Sequence, residues 1–146
     1  MRTASCCAEG SVKALCIALL TLCGLFAGNA DAAHWVKVVD SKTSRIYVDT
    51  DSINRIGDIV SAWYKRDFSH PIASGKSHQR YQSSKVLNYY NCADREIAHA
   101  RWITFANREA SGKPLSSEEV DSLQYGDVTA DDTGEPIFNF VCTYRK

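Results

Sequence analysis

The amino-acid sequence predicts an exported, mainly antiparallel β-sheet domain closed by one disulfide. Three observations carry this expectation. Tyr81–Cys92 is a long run rich in aromatic and β-branched residues, with no Gly or Pro, and reads as a central strand. Shorter runs of the same kind flank it, separated by polar or Gly-containing turns, so neighbours pair as hairpins. Of six cysteines, only Cys92 and Cys142 lie beyond an N-terminal export signal. An even pair in an oxidising compartment predicts one bridge.

The export signal occupies residues 1–32. Arg2 and Lys13 supply positive charge, Ala14–Ala27 is apolar, and Ala30-Asp31-Ala32 is a small-x-small cleavage site. The apolar run is shorter than the ~20 residues a membrane-spanning helix needs. Leu22 precedes Cys23 and Leu15 precedes Cys16, contexts that disfavour lipid attachment. Removing 32 of 146 residues leaves 114, enough for one domain, residues 33–146. Two basic and two acidic residues leave with the signal, so 15 of each remain from 17 of each. That balance argues against a nucleic-acid partner.

The elements follow in order. His34–Asp40 and Arg45–Asp49 are strands joined by the polar turn Ser41–Ser44. Thr50–Asp58 is a connection with a Gly57-Asp58 turn. Ile59–Phe68 is a third strand, with Ile59, Ser61 and Trp63 on one face and Val60, Ala62 and Tyr64 on the other. Ser69–Gln79 reads as a loop. Its Ser74-Gly75-Lys76-Ser77 is superficially similar to a phosphate-binding loop but lacks the first glycine, where His70 stands. After the central strand, Ala93-Asp94-Arg95 is a tight turn and Glu96–Phe105 an antiparallel partner. Ser111–Pro114 is a turn. Ser116-Ser117-Glu118-Glu119 has capping-box spacing, which predicts a helical turn near Glu118–Ser122. Leu123–Val128 is a last short strand.

Pro136–Tyr144 is strand-like by propensity. Yet Ile137, Phe140, Val141 and Tyr144 fall on one helix face, with Thr133 as N-cap and Pro136 in the first turn. The pattern supports either assignment.

Four features together resemble the surface-adhesin protein E family of Gram-negative bacteria. They are Ile46-Tyr47-Val48-Asp49-Thr50-Asp51-Ser52-Ile53, the strand bearing Trp63, Tyr81 leading through Val86-Leu87-Asn88 to Cys92-Ala93-Asp94, and the closing Val141-Cys142-Thr143-Tyr144 after Thr129-Ala130-Asp131. The resemblance spans nearly all of residues 34–146. It implies an α+β fold: an antiparallel half-barrel of about five or six strands, with a C-terminal helix over Thr133–Tyr144 packed on it and Cys142 bonded to the central strand. It also implies a periplasmic or outer-membrane-surface location, homodimerisation, and protein partners such as vitronectin, laminin and plasminogen. The family's binding region includes a basic pair just before the tyrosine of the central strand. Here that place reads His78-Gln79-Arg80-Tyr81, with Gln79 at one of the basic positions.

Arg80, Tyr81 and Lys85 are therefore the candidate partner-binding residues, the two cations facing an acidic or glycosaminoglycan-like patch. The plainer reading makes those cations solvated charges at a strand end. Asp49 and Asp51 are spaced to hold a cation through their oxygens, but cap a turn more naturally. Asp131-Asp132 would cap the C-terminal helix. His34, His70, His78 and His99 have no ligand spacing. Trp35, Trp63, Trp102, Tyr47 and Phe140 are expected to fill the core between sheet and helix. No nucleophile, base, metal set or cofactor motif stands out, so the sequence predicts a binding domain and not an enzyme. The alternative is a periplasmic protein of structural or stress role with no host ligand.

Overall fold

The structure, a computed structural model, describes residues 33–74, 79–130 and 133–145. Residues 1–32, where the export signal is expected, residues 75–78 of the predicted loop, the Asp131-Asp132 pair and Lys146 lie outside the described residues.

Eight strands form one antiparallel sheet: β1 (Trp35–Asp40), β2 (Ser44–Asp49), β3 (Asn54–Ile56), β4 (Ile59–Ala73), β5 (Arg80–Asn91), β6 (Glu96–Phe105), β7 (Pro114–Glu119) and β8 (Gly126–Asp127). The main path runs β1-β2-β4-β5-β6-β7; β3 adds to β4, and β8 to β6. One helix, α1 (Gly134–Thr143), closes the chain. The C-terminal segment is thus helical, as the family resemblance implies.

The spine is the β4–β5 ladder, which pairs Ile59 with Asn91 and continues to Asp67 with Ser83. There the register shifts, and pairing resumes at Ile72 with Tyr81. The stretch read as a loop from Ser69 is therefore partly strand. Pro71 has no N–H to donate, and it falls inside the shifted segment, where no ladder bond is lost.

Alternation assigns the faces. Ile46, Val48, Val60, Ala62 and Tyr90 point to one side and are fully buried with Ile137, Phe138 and Val141 of α1. The helix buries Ile137, Phe138 and Val141, while Phe140 and Tyr144 stack on each other at 5.6 Å and stay half-buried. The apolar stripe is thus rotated toward Phe138 relative to the face expected from sequence. Burial of such side chains contributes about 1.5–3 kcal/mol each.

Two sequence readings need correction. The capping-box stretch forms strand β7, pairing with β6 from Arg101–Glu119 to Phe105–Pro114. Ser-Ser-Glu-Glu offers no apolar helix face, whereas the β6 edge supplies backbone partners and a Thr104–Ser116 hydroxyl contact at 2.7 Å. Trp35, Tyr47 and Trp63 do not enter the sheet–helix core; they project from the other face. Trp102 is 42% exposed.

Polar contacts fix the joints. Asp49 Oδ1 accepts from the backbone N–H of Asp51 at 3.2 Å, capping the 3-10 turn Thr50–Ser52. Gly57 takes φ of +59° at the β3–β4 turn, a conformation that costs glycine nothing. Asp67 and Ser83 are buried polar residues holding the turn at Arg108–Ala110: the N–H of Glu109 donates to Asp67 Oδ1 at 2.7 Å, and that of Ala110 to Ser83 Oγ at 2.9 Å. Glu109 and Ala110 have φ of 60° and 52°, a left-handed conformation that these bonds sustain.

Three contacts hold α1. Cys92 and Cys142 form the bridge, 50 residues apart with Cα atoms 5.7 Å apart. Arg55 donates to the Cys142 carbonyl at 2.7 Å, satisfying a helix C-terminal acceptor. Arg95 donates to Glu135 at 3.0 Å and sits 5.1 Å from the Phe138 ring.

Replacing both cysteines by alanine should lower unfolding free energy by about 4 kcal/mol, the chain-entropy value for a loop of this length. Chemical denaturation of the oxidised protein and the double variant measures it. Equal midpoints would show that the bridge adds nothing to stability.

Candidate functional site

The face of the sheet opposite α1 carries an unusual cluster. β2 and β4 place Tyr47 directly across from Lys65, and β4 and β5 place Lys65 directly across from Lys85. β1 brings Lys37 opposite Tyr47 and Trp35 opposite Asp49. Trp63, two residues from Lys65, is on the same side. The register alone therefore assembles three ammonium groups, those of Lys37, Lys65 and Lys85, and three rings.

The rings hold the ammoniums. Lys65 Nζ is 5.0 Å from the Trp35 ring centre and 5.0 Å from that of Tyr47. Lys85 Nζ is 5.4 Å from Trp35 and 5.3 Å from Trp63. The Trp35 indole is shared by both cations. All five side chains are half-buried. Among the described residues, neither Lys65 nor Lys85 has a carboxylate within ion-pair distance; Lys37 is different, since it pairs with Asp40.

Magnitudes decide what this cluster is for. An exposed cation–π contact contributes about 0.5–1 kcal/mol. Like charges directly opposite on neighbouring strands cost a similar amount, ~0.2–1 kcal/mol. Four ring contacts outweigh the single repulsion, so the two ammoniums are held on the folded sheet without a carboxylate partner among the described residues. What remains is a positively charged, aromatic surface oriented by the ladder.

The sequence candidates are not gathered in one place. Lys85 belongs to this cluster. Arg80 starts β5, is exposed, and donates to the Pro71 carbonyl at 2.7 Å. Tyr81 meets Phe68 edge-on at 5.5 Å and borders a hollow of about 230 Å³ with Trp102 and Thr104. Five residues of strand separate Arg80 from Lys85, about 17 Å. Lys65, Trp35 and Trp63 were missed as site residues. Lys65 is an ordinary exposed-type lysine until the register sets it across from Lys85.

On the helix-covered face, His99 Nδ1 lies 2.8 Å from Asn88 Oδ1. The amide oxygen only accepts, so Nδ1 carries the proton. Asn88 Nδ2 then donates to the Tyr90 hydroxyl at 3.3 Å. Burial pushes the Tyr90 hydroxyl well above the ordinary phenol range, so it stays neutral. Among the described residues no group of three or more His, Cys, Asp or Glu side chains converges on a metal-sized site.

Fold and surface define a class: a disulfide-closed open antiparallel sheet with one terminal helix on one face and a cationic, aromatic array on the other. Within that class the chain belongs to the surface-adhesin protein E family, whose model matches residues 35–143. The structure is similar to the crystal structure of protein E from non-typeable Haemophilus influenzae, with a TM-score of 0.54, 16% identity, and 74% of each chain covered. It is also similar to crystal form II of Haemophilus influenzae protein E, with a TM-score of 0.57, 15% identity, and 74% of this chain and 86% of that one covered. At such identities the likeness establishes the fold alone. No curated protein matches the sequence.

Burial lowers the His99 pKa below its ordinary 6.5. The unfolded chain therefore binds more protons between that lowered value and 6.5, and stability contributed by neutral His99 is lost as pH falls through the window. Melting temperature should drop more steeply from about pH 7 to pH 5 in the parent than in His99→Gln. Parallel profiles would contradict this.

Proposed function

We propose that this chain is an exported binding domain of the bacterial envelope, cleaved after Ala32, which engages an acidic protein surface through the face that carries Lys65 and Lys85. The observation that carries the reading is the pair of ring-held ammoniums directly across from each other with no carboxylate partner among the described residues. Such an array offers two fixed charges with much of their side-chain entropy already lost, which lowers the ordering cost of binding a partner. The aromatic rings add flat apolar area of the kind that dominates protein interfaces.

Membership of an adhesin family supports a surface location and a protein partner. Host matrix or plasma proteins such as vitronectin, laminin and plasminogen are the partners to try first, and a second copy of the chain is a further one. Arg80, about 17 Å away at the exposed start of β5, lies outside this array. In this reading the domain works by association and carries out no reaction.

Surface plasmon resonance against vitronectin and plasminogen tests the proposal. The parent should bind with an affinity that falls as salt rises, because exposed charges are screened over about 10 Å at 0.1 M salt. Lys65→Ala with Lys85→Ala should weaken binding by at least about tenfold, or ~1.4 kcal/mol. Arg80→Ala should have a smaller effect. No binding at micromolar protein, or binding that ignores both lysines, would remove the reading.

A further inference from the structure

A second surface, independent of the lysine array, lies on the other side of the sheet. Between α1, the segment 124–129 and the helix-covered face is a cleft of about 400 Å³. That is within the ~300–1,000 Å³ of sites that bury small molecules. The ladders order its floor. Ile46 stands opposite Arg66, Tyr64 is one row further, and Asn88 and His99 occupy the next row but one from Arg66. Ile137 of α1 lines the cleft above them.

Arg66 is the feature this arrangement leaves unexplained. Its Nε donates to Ser44 Oγ at 3.1 Å, and its guanidinium carbon sits 4.8 Å from the Phe68 ring centre. These two contacts fix the plane of the group and use only one of its five N–H bonds. Among the described residues no carboxylate is within ion-pair distance of it. Among the described residues the cleft lining holds one carboxylate, Asp127, which stands opposite Glu96 in the β6–β8 pairing, at the end of the cleft marked by Ile97 and Tyr90. From the Arg66 row to the Tyr90 row is six residues of strand, about 20 Å. One end of the cleft is therefore cationic and the middle is aromatic and aliphatic.

We propose that this cleft binds a small organic monocarboxylate with an aromatic or branched apolar body, the carboxylate directed at Arg66. A planar guanidinium with its amino groups unspent is matched to a carboxylate, which it takes through two parallel hydrogen bonds. Ile46, Tyr64 and Ile137 supply the walls for the apolar body. The His99–Asn88–Tyr90 chain, hydrogen-bonded within itself, lines the cleft beyond Tyr64.

The test is an amide-resolved NMR titration of the protein with phenylacetate and 4-methylvalerate, run beside phenylacetamide and 4-methylvaleramide. The carboxylates should produce saturable shifts at Tyr64, Asn88, His99 and Gly134, with affinity about tenfold above that of the amides. Arg66→Gln should erase the preference for carboxylate while Lys113→Ala, an exposed position outside both surfaces, leaves it intact. Absence of saturable shifts at those amides would overturn the proposal, as would equal affinity for acid and amide in the parent. Retained acid preference in Arg66→Gln would also overturn it. The acid–amide comparison needs no variant, so it decides the matter even if Arg66→Gln fails to fold.

Discussion

The antiparallel pairing of β4 with β5 is the constraint on which everything else rests. Because side chains alternate strictly along a strand, one register sorts every residue of both strands onto one of two faces. A slip of β5 by one residue would turn Lys85 toward the helix and Val86 and Tyr90 toward water. The cost of that exchange is what makes the register unique. The bridge from Cys92 at the end of β5 to Cys142 of α1 then marks which face receives the helix.

The two faces do different physical work. The helix-covered face holds the aliphatic residues and Tyr90, whose burial stabilises the domain. Helix α1 covers only part of it, and the remainder is the cleft with Arg66 at one end. The opposite face is closed at one end by the Arg108–Ala110 turn, anchored on Asp67 and Ser83. Its middle is left to Trp35, Tyr47, Trp63 and the two lysines. Apolar burial is thus concentrated on one side, while on the other the rings hold two charges in place at the surface.

Much of the fold was legible in the chain. Alternation in Ile59–Tyr64 and the unbroken run Tyr81–Cys92 marked the spine, and the cysteine pair marked its closure. Three things were not legible, each for a physical reason. Alternation separates two faces but does not say which one meets the helix; with Trp63 on one side and Val60 and Ala62 on the other, both read as apolar. Propensity at Pro136–Tyr144 supports strand and helix alike, and only the family resemblance distinguished them. The capping-box spacing at Ser116–Glu119 is a local signal, and pairing with the β6 edge overrode it. The site was legible only at Lys85. Its partners Lys65, Trp35 and Trp63 are far away in sequence and meet through the register, which no local pattern encodes.

The division of the sheet into a packed face and a cation–aromatic face is tested most directly by a proton NOESY spectrum of the folded protein. The account requires cross-peaks from the ε-methylenes of Lys65 and Lys85 to the Trp35 indole, and from the Tyr90 ring to Phe138. Cross-peaks from the Trp35 indole to Ile137 or Phe138, with none to either lysine, would contradict it.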